Sequence, residues 1–250
     1  MPPRIVYYYQ TLSSLEKVPN YPTYVYLSAF HFTENGIHLN NSDPDDQPNI
    51  WKDMENATQR GLTVLIMLGG AGGAYTTLFS DFEKYFMILI NLIRKYPCIK
   101  GIDLDVEEYS KLIYVRFLVR CLDALLGQDF IITMAPTASA MISDGPGLGG
   151  FSYADLCKTD EGRRINWFNV QAYGDYTLET YEAIIQNKYA PEMIVFGLLG
   201  DKYDDDNTAC REVKRVLQKY PTMAGVYLWE YGDTHVDPLG WGQDMKRILG

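Results

Sequence analysis

Eight short runs of β-branched and aromatic residues, separated by longer amphipathic stretches, limit this chain's fold more than any other feature. The runs are 4–9 (RIVYYY), 24–32 (YVYLSAFHF), 63–68 (TVLIML), 99–106 (IKGIDLDV), 130–135 (FIITMA), 166–173 (NWFNVQAY), 193–199 (MIVFGLL) and 223–229 (MAGVYLW). Strands that alternate with helices pair in parallel, because a parallel neighbour needs a crossover connection. Eight such units in 250 residues are the content of an α/β fold of one kind, a single (β/α)8 TIM barrel spanning residues 1–250. No linker, charge block or composition shift marks a domain boundary.

The helical stretches are legible by period. Ser80, with Glu83 three residues on, predicts a capping box opening a helix that buries Phe82, Tyr85, Phe86, Leu89 and Ile93 and ends before Pro97. A second helix is predicted from about Lys111 to Leu126, with Leu112, Val115, Leu118, Val119, Leu122 and Leu125 inward and Gly127 as its stop. Others are expected near 49–60, 177–188, 206–219 and 240–249, with Pro221 closing the third. Residues 36–48 and 142–150 read as long loops after strands two and five, where a barrel builds its active face.

Composition narrows the partners. At 47% hydrophobic and 22% charged, the chain can bury a sizeable core. A net charge of −10 with no basic cluster argues against nucleic acid and anionic membranes. The longest apolar run, around Met87 to Ile93, falls short of the ~18 residues that span a bilayer. Twenty Tyr, ten Phe and four Trp suit sugar faces and ordinary cores alike. The expected species is a monomer.

Cys98, Cys121, Cys157 and Cys210 form no CxxC pair and read as free, partly buried thiols. No apolar signal segment opens the sequence, so a cytoplasmic protein is expected, or a secreted one if this is a mature form. The sequons Asn40-Asn41-Ser42 and Asn56-Ala57-Thr58 carry meaning only in the latter case.

The fourth run concentrates the chemistry. Side-chain alternation puts Asp103, Asp105 and Glu107 on one face, with Ile102, Leu104 and Val106 on the other, against helices. Three carboxylates inside a barrel mouth are costly, and their proximity raises at least one pKa, as a general acid requires. Alternation turns the neighbouring Glu108 away. Tyr7, Tyr8 and Tyr9 should alternate in and out of the barrel. Gly145 to Gly150 satisfies GxGxxG without joining a strand to a helix, and Gly69 to Gly73 lacks the Lys-Ser/Thr of a phosphate loop, so close backbone approach explains the latter better. Asp204-Asp205-Asp206 fails calcium-loop spacing and fits a helix start. His31, His38 and His235 show no ligand spacing. Neither a metal nor another cofactor is expected.

With these residues in hand, the chain resembles glycoside hydrolase family 18. Asp103, Asp105 and Glu107 match the last three acids of its Asp-Gly-x-Asp-x-Asp-x-Glu signature, with Lys100 at the first. Met67-Leu68-Gly69-Gly70 resembles the Ser-x-Gly-Gly element with Met in place of Ser, Gln171-Ala172-Tyr173 the Gln-x-Tyr element, and Trp229 the aromatic closing strand eight. Finer matches resemble the fungal endo-β-N-acetylglucosaminidases. These are Ile37-His38-Leu39-Asn40 with Pro44-Asp45-Asp46, Met134 to Ala140, Gly150 to Tyr153, Ile165 to Gln171 and Gly225 to Tyr231.

The resemblance implies a substrate-assisted hydrolase acting on N-glycans or glycoproteins, a named exception to the two-carboxylate scheme. It casts Glu107 as acid and base, Asp105 as the holder of the substrate acetamide, Asp103 as its proton-sharing partner and Tyr173 as a donor to the acetamide oxygen. Gln171, Trp229, Gly69, Gly70, Met134 and Phe30 are the implied substrate-binding set. Lys100 implies retained activity with an altered local charge balance. A chitinase with the same machinery and a non-catalytic glycan-binding barrel are the competing readings.

Overall fold

The computed structural model describes residues 2–12, 14–18, 23–34, 36–203, 208–232 and 237–250. The Asp204–Asp206 run and His235 lie outside them. Strands β1 (Arg4–Tyr9), β2 (Thr23–Thr33), β3 (Gly36–Leu39), β4 (Thr63–Gly69) and β5 (Ile99–Asp105) come first. They are followed by β6 (Ile131–Met134), β7 (Trp167–Gln171), β8 (Ile194–Leu199) and β9 (Gly225–Trp229). All except β3 pair in parallel in the order β1-β2-β4-β5-β6-β7-β8-β9, and β9 pairs back to β1. The eight predicted strands therefore close the predicted barrel. The addition is β3, antiparallel to β2, at the start of the segment expected to be a loop.

Helices α1 (Pro48–Gln59), α2 (Ala74–Ser80), α3 (Phe82–Lys95), α4 (Leu112–Leu126) and α5 (Ala138–Ile142) surround the barrel. So do α6 (Tyr153–Cys157), α7 (Asp160–Arg163), α8 (Leu178–Gln186), α9 (Thr208–Lys219) and α10 (Pro238–Leu249). Two expectations need correction. Asp81, not Ser80, caps α3, accepting from the Lys84 N–H at 3.3 Å. Ser80 instead ends α2, donating to the Thr77 carbonyl at 2.7 Å; the two helices abut, so their period reads as one. Leu125 is 47% exposed, because the buried row of Val115, Leu118 and Leu122 continues to Leu126, which packs on the core, and leaves Leu125 beside it. Gly127 does terminate α4, at φ +79°.

Each strand alternates between two buried layers. Val6, Tyr8, Tyr26, Leu65, Met67, Trp167 and Tyr227 fill the barrel, and a larger outer layer lies beneath the helices. Tyr7 and Tyr9 point outward while Tyr8 points in, as alternation predicts. Ile102, Leu104 and Val106 lie in the outer layer. All four cysteines are free thiols. Among the described residues, no helix is long and apolar enough to cross a membrane.

Candidate active site

The C-terminal strand ends converge on a cavity of about 320 Å³ whose walls include Asp105, Glu107, Gln171, Tyr173 and Trp229. Its floor is built by close approach of β4 and β5. Register sets Met67 beside Asp103 and Gly69 beside Asp105. At φ +99° Gly69 has no room for a Cβ, which would stand 2.2 Å from the Asp105 carbonyl oxygen. The next amide, Gly70, donates to that same carbonyl at 2.9 Å. The glycines after β4 thus let the chain turn against the strand that bears the acids.

Asp103 is fully buried and accepts from three donors: the Tyr8 hydroxyl at 2.7 Å, the Thr133 hydroxyl at 2.5 Å and the Asn169 amide at 2.9 Å. Burial still lifts its carboxyl to about 6, against the pull of those bonds. These three donors fix the position of the Asp103 carboxyl beneath Asp105. Asp105 lies far above the usual carboxylate range, first through burial, then through the charges of Glu107 and Asp103. Proximity of the acids is real, but removal from water is the larger cause.

The Asp103 shift sets a pH dependence of stability. The folded state holds this proton more tightly than the unfolded chain, whose value is near 3.8. The resulting stability is full below 3.8 and lost as pH rises through about 6. From roughly pH 4 to pH 7 the protein should lose on the order of 2–3 kcal/mol from this group, with Asp105 acting in the same direction. Glu161 opposes this only in part: despite its desolvation, Arg116 and Arg120 hold it at about 2, so its contribution is full above about 4.5 and is lost mostly below about pH 4. Denaturant titrations across that range should show the fall, and Asp103→Asn should flatten it; an unchanged slope would refute the assignment.

Gln171 ties the pair together. Its amide nitrogen lies 3.2 Å from Asp105, 3.1 Å from Glu107 and 2.9 Å from the Ala135 carbonyl. Two N–H groups serve three acceptors, so the carboxylates compete for one donor. Tyr227 donates to the Tyr173 hydroxyl at 3.1 Å, leaving the Tyr173 proton free to face the cavity; burial keeps that phenol protonated. Trp229 rests against Tyr8 at 5.2 Å between ring centres.

Glu108 is engaged elsewhere. It accepts from the Tyr75 N–H and, at 2.5 Å, from the Thr76 hydroxyl. It thereby caps α2, whose N-cap Gly73 has no side chain to do so. Glu108→Ala should cost about 1 kcal/mol of stability yet keep turnover within a few-fold, as paired melting and rate measurements would show.

Two expected substrate contacts are corrected. Met134 and Phe30 are both fully buried in the outer layer. Met134 follows Thr133, which pairs with Asp103 inside the barrel, so alternation sends Met134 out. Phe30 follows an irregularity in β2 between Leu27 and Phe30 that reverses parity. Ala29 and His31 therefore face the cavity in its place, joined by Gln10, Met67 and Ala71, all missed from sequence. Burial holds the His31 ring below the usual imidazole range. Lys100 is exposed and donates to the Pro97 carbonyl at 2.8 Å outside the barrel, so it leaves the charge balance among the acids unaltered. Segments 36–48 and 142–150 supply no residue to this cavity's lining among the described residues. Asn40 instead ties Gln10 to Ala29, and Gly149 accepts from the Ser110 N–H at 2.8 Å.

No protein-family model and no curated protein matches the chain. Solved structures do. A fungal endo-β-N-acetylglucosaminidase from glycosyl hydrolase family 18 is 29% identical with a TM-score of 0.89, over 99% of this chain and 98% of that one. The chitinase ChiC from Aspergillus fumigatus is 30% identical with a TM-score of 0.87, over 99% and 100%. A GH18 chitinase from Pseudoalteromonas aurantia, 19% identical with a TM-score of 0.79 over 98% and 100%, shares the fold. With its acids at the mouth of a closed barrel and a 30% identical chitinase matched end to end, the chain belongs to glycoside hydrolase family 18.

Proposed function

We propose that the protein is an endo-β-N-acetylglucosaminidase that hydrolyses the β-1,4 bond between the two core GlcNAc residues of N-glycans, with retention. Glu107, at the cavity wall, protonates the glycosidic oxygen as its bond to C1 breaks. The acetamide carbonyl oxygen of the same sugar attacks C1 and forms an oxazolinium ion. Asp105 accepts the acetamide N–H, which fixes the group's orientation and stabilises the positive charge that develops there. Tyr173 donates its free hydroxyl proton to the acetamide oxygen, and Gln171 holds both carboxylates in place. Trp229 floors the sugar. Water then adds to C1 and returns a proton to Glu107.

One observation carries the choice of substrate. A second cavity of about 310 Å³, which shares Gln171 with the central one, has Thr137, Ser139, Asp175 and Thr180 among its walls. Hydroxyls and a carboxylate suit a branched, hydroxyl-rich glycan. The 30% identity to a chitinase favours the second reading, cleavage of a GlcNAc polymer by the same residues. Incubation with a high-mannose glycoprotein and, separately, with chitin oligosaccharides decides between them by product mass. A protein left with one GlcNAc supports the first, and cleavage of chitin oligomers alone overturns it.

A further inference from the structure

The β6–β7 crossover is broken into three short helices of five, five and four residues, where α4 makes its crossover with fifteen. No long helix therefore covers the outer face of β7. A cavity of about 660 Å³ occupies that flank, within the range that holds drug-sized ligands. It shares no residue with the central cavity.

Its lining is amphipathic. Phe168, Ile165 and Met193 give it an apolar floor, and the Tyr189 ring stands edge-on to Phe168 at 6.0 Å. Tyr189 is only 7% exposed, yet its buried hydroxyl has no hydrogen-bond partner. Buried polar groups are nearly always paired, so this one needs an acceptor. Tyr189 itself lines the cavity, together with Cys157 and Asp144.

The neighbouring cation is also uncommitted. Lys188 lines the cavity with its backbone at φ +72°, a conformation rare for lysine, and makes no ion pair among the described residues. The other two cations here are engaged, Lys158 with Asp155 at 2.8 Å and Arg163 with Asp160. Asp144 sits near Lys158 and offsets charge on that side.

We propose that this cavity is a second binding site, for a small amphipathic carboxylate. The apolar body lies on Phe168, Ile165 and Met193. The carboxylate accepts from the Tyr189 hydroxyl and pairs with Lys188, and a single such group satisfies both.

The test is calorimetric titration of the full chain with sodium 2-naphthoate, with decanoate as the aliphatic arm and 2-naphthamide as the neutral analogue. One saturable site is expected for at least one acid, with the amide weaker. Tyr189→Phe should weaken binding roughly 10-fold or more, and Lys188→Gln about 3-fold. Bound acid should slow alkylation of Cys157 and leave Cys121 unaffected, read by peptide mass. Lys188 is exposed, so its variant remains informative if Tyr189→Phe folds poorly. Three results would each overturn the proposal: no saturable heat with either acid at millimolar concentration, binding indifferent to both variants, or displacement of the acid by chitin oligosaccharides.

Discussion

Glu107→Gln should lower hydrolysis of a GlcNAc-GlcNAc bond by about 10²- to 10⁴-fold, the range removed when a positioned proton donor is lost. The amide keeps the shape of the side chain and its contact with Gln171, now 3.1 Å away. Binding should therefore hold, and the loss should fall on kcat, with KM moving little. The free-energy loss would be about 3–5 kcal/mol of transition-state stabilisation. Initial rates on the preferred glycan, alongside a binding titration, separate the two effects. Wild-type turnover in this variant would remove Glu107 from the mechanism. Since Glu108 is bound up with Tyr75 and Thr76, a residual rate should not pass to it.

Gly69→Ala should produce a large loss of stability. The added Cβ would stand 2.2 Å from the Asp105 carbonyl oxygen and 2.6 Å from the Tyr75 ring, at a φ of +99°. Backbone strain of about 1–3 kcal/mol and overpacking of a similar size sum to about 4 kcal/mol. In a chain of this length that is a fall in Tm of roughly 8–16 °C. Because the clash is with the residue that bears the Asp105 carboxyl, activity should fall even well below the new Tm. Gly61→Ala is the control: its φ is +95°, but nothing lies within 4 Å of the added carbon. It should show the strain alone, and an equal effect at both positions would refute the close-approach argument.

How far these sites could be foreseen depends on what each signal encodes. Asp103, Asp105 and Glu107 were legible because alternation along one strand is a local property. Tyr8 was legible for the same reason. Phe30 was misplaced because the irregularity in β2 reverses parity, and only the pairing of β2 with β4 reveals it. Met134 was misplaced although its neighbour Thr133 carried the answer, since the face of β6 is set by where Asp103 points. Gln10 and His31 left no sequence signal of their own. They reach the cavity because β1 and β2 end beside it, roughly 70 to 100 residues away in sequence from the acids.

By itself, then, the sequence determined the eight strand and helix units, the closed parallel barrel and the one strand that carries two acids and leads directly into the third. Period and turn chemistry are written within a dozen residues of each position. The tertiary structure decided which of those acids is removed from water, which donors hold it and which side chains complete the wall. It also revealed the flank cavity beside Tyr189. Burial, cross-strand register and the gap left by a broken crossover arise only when distant segments pack, so no local pattern encodes them.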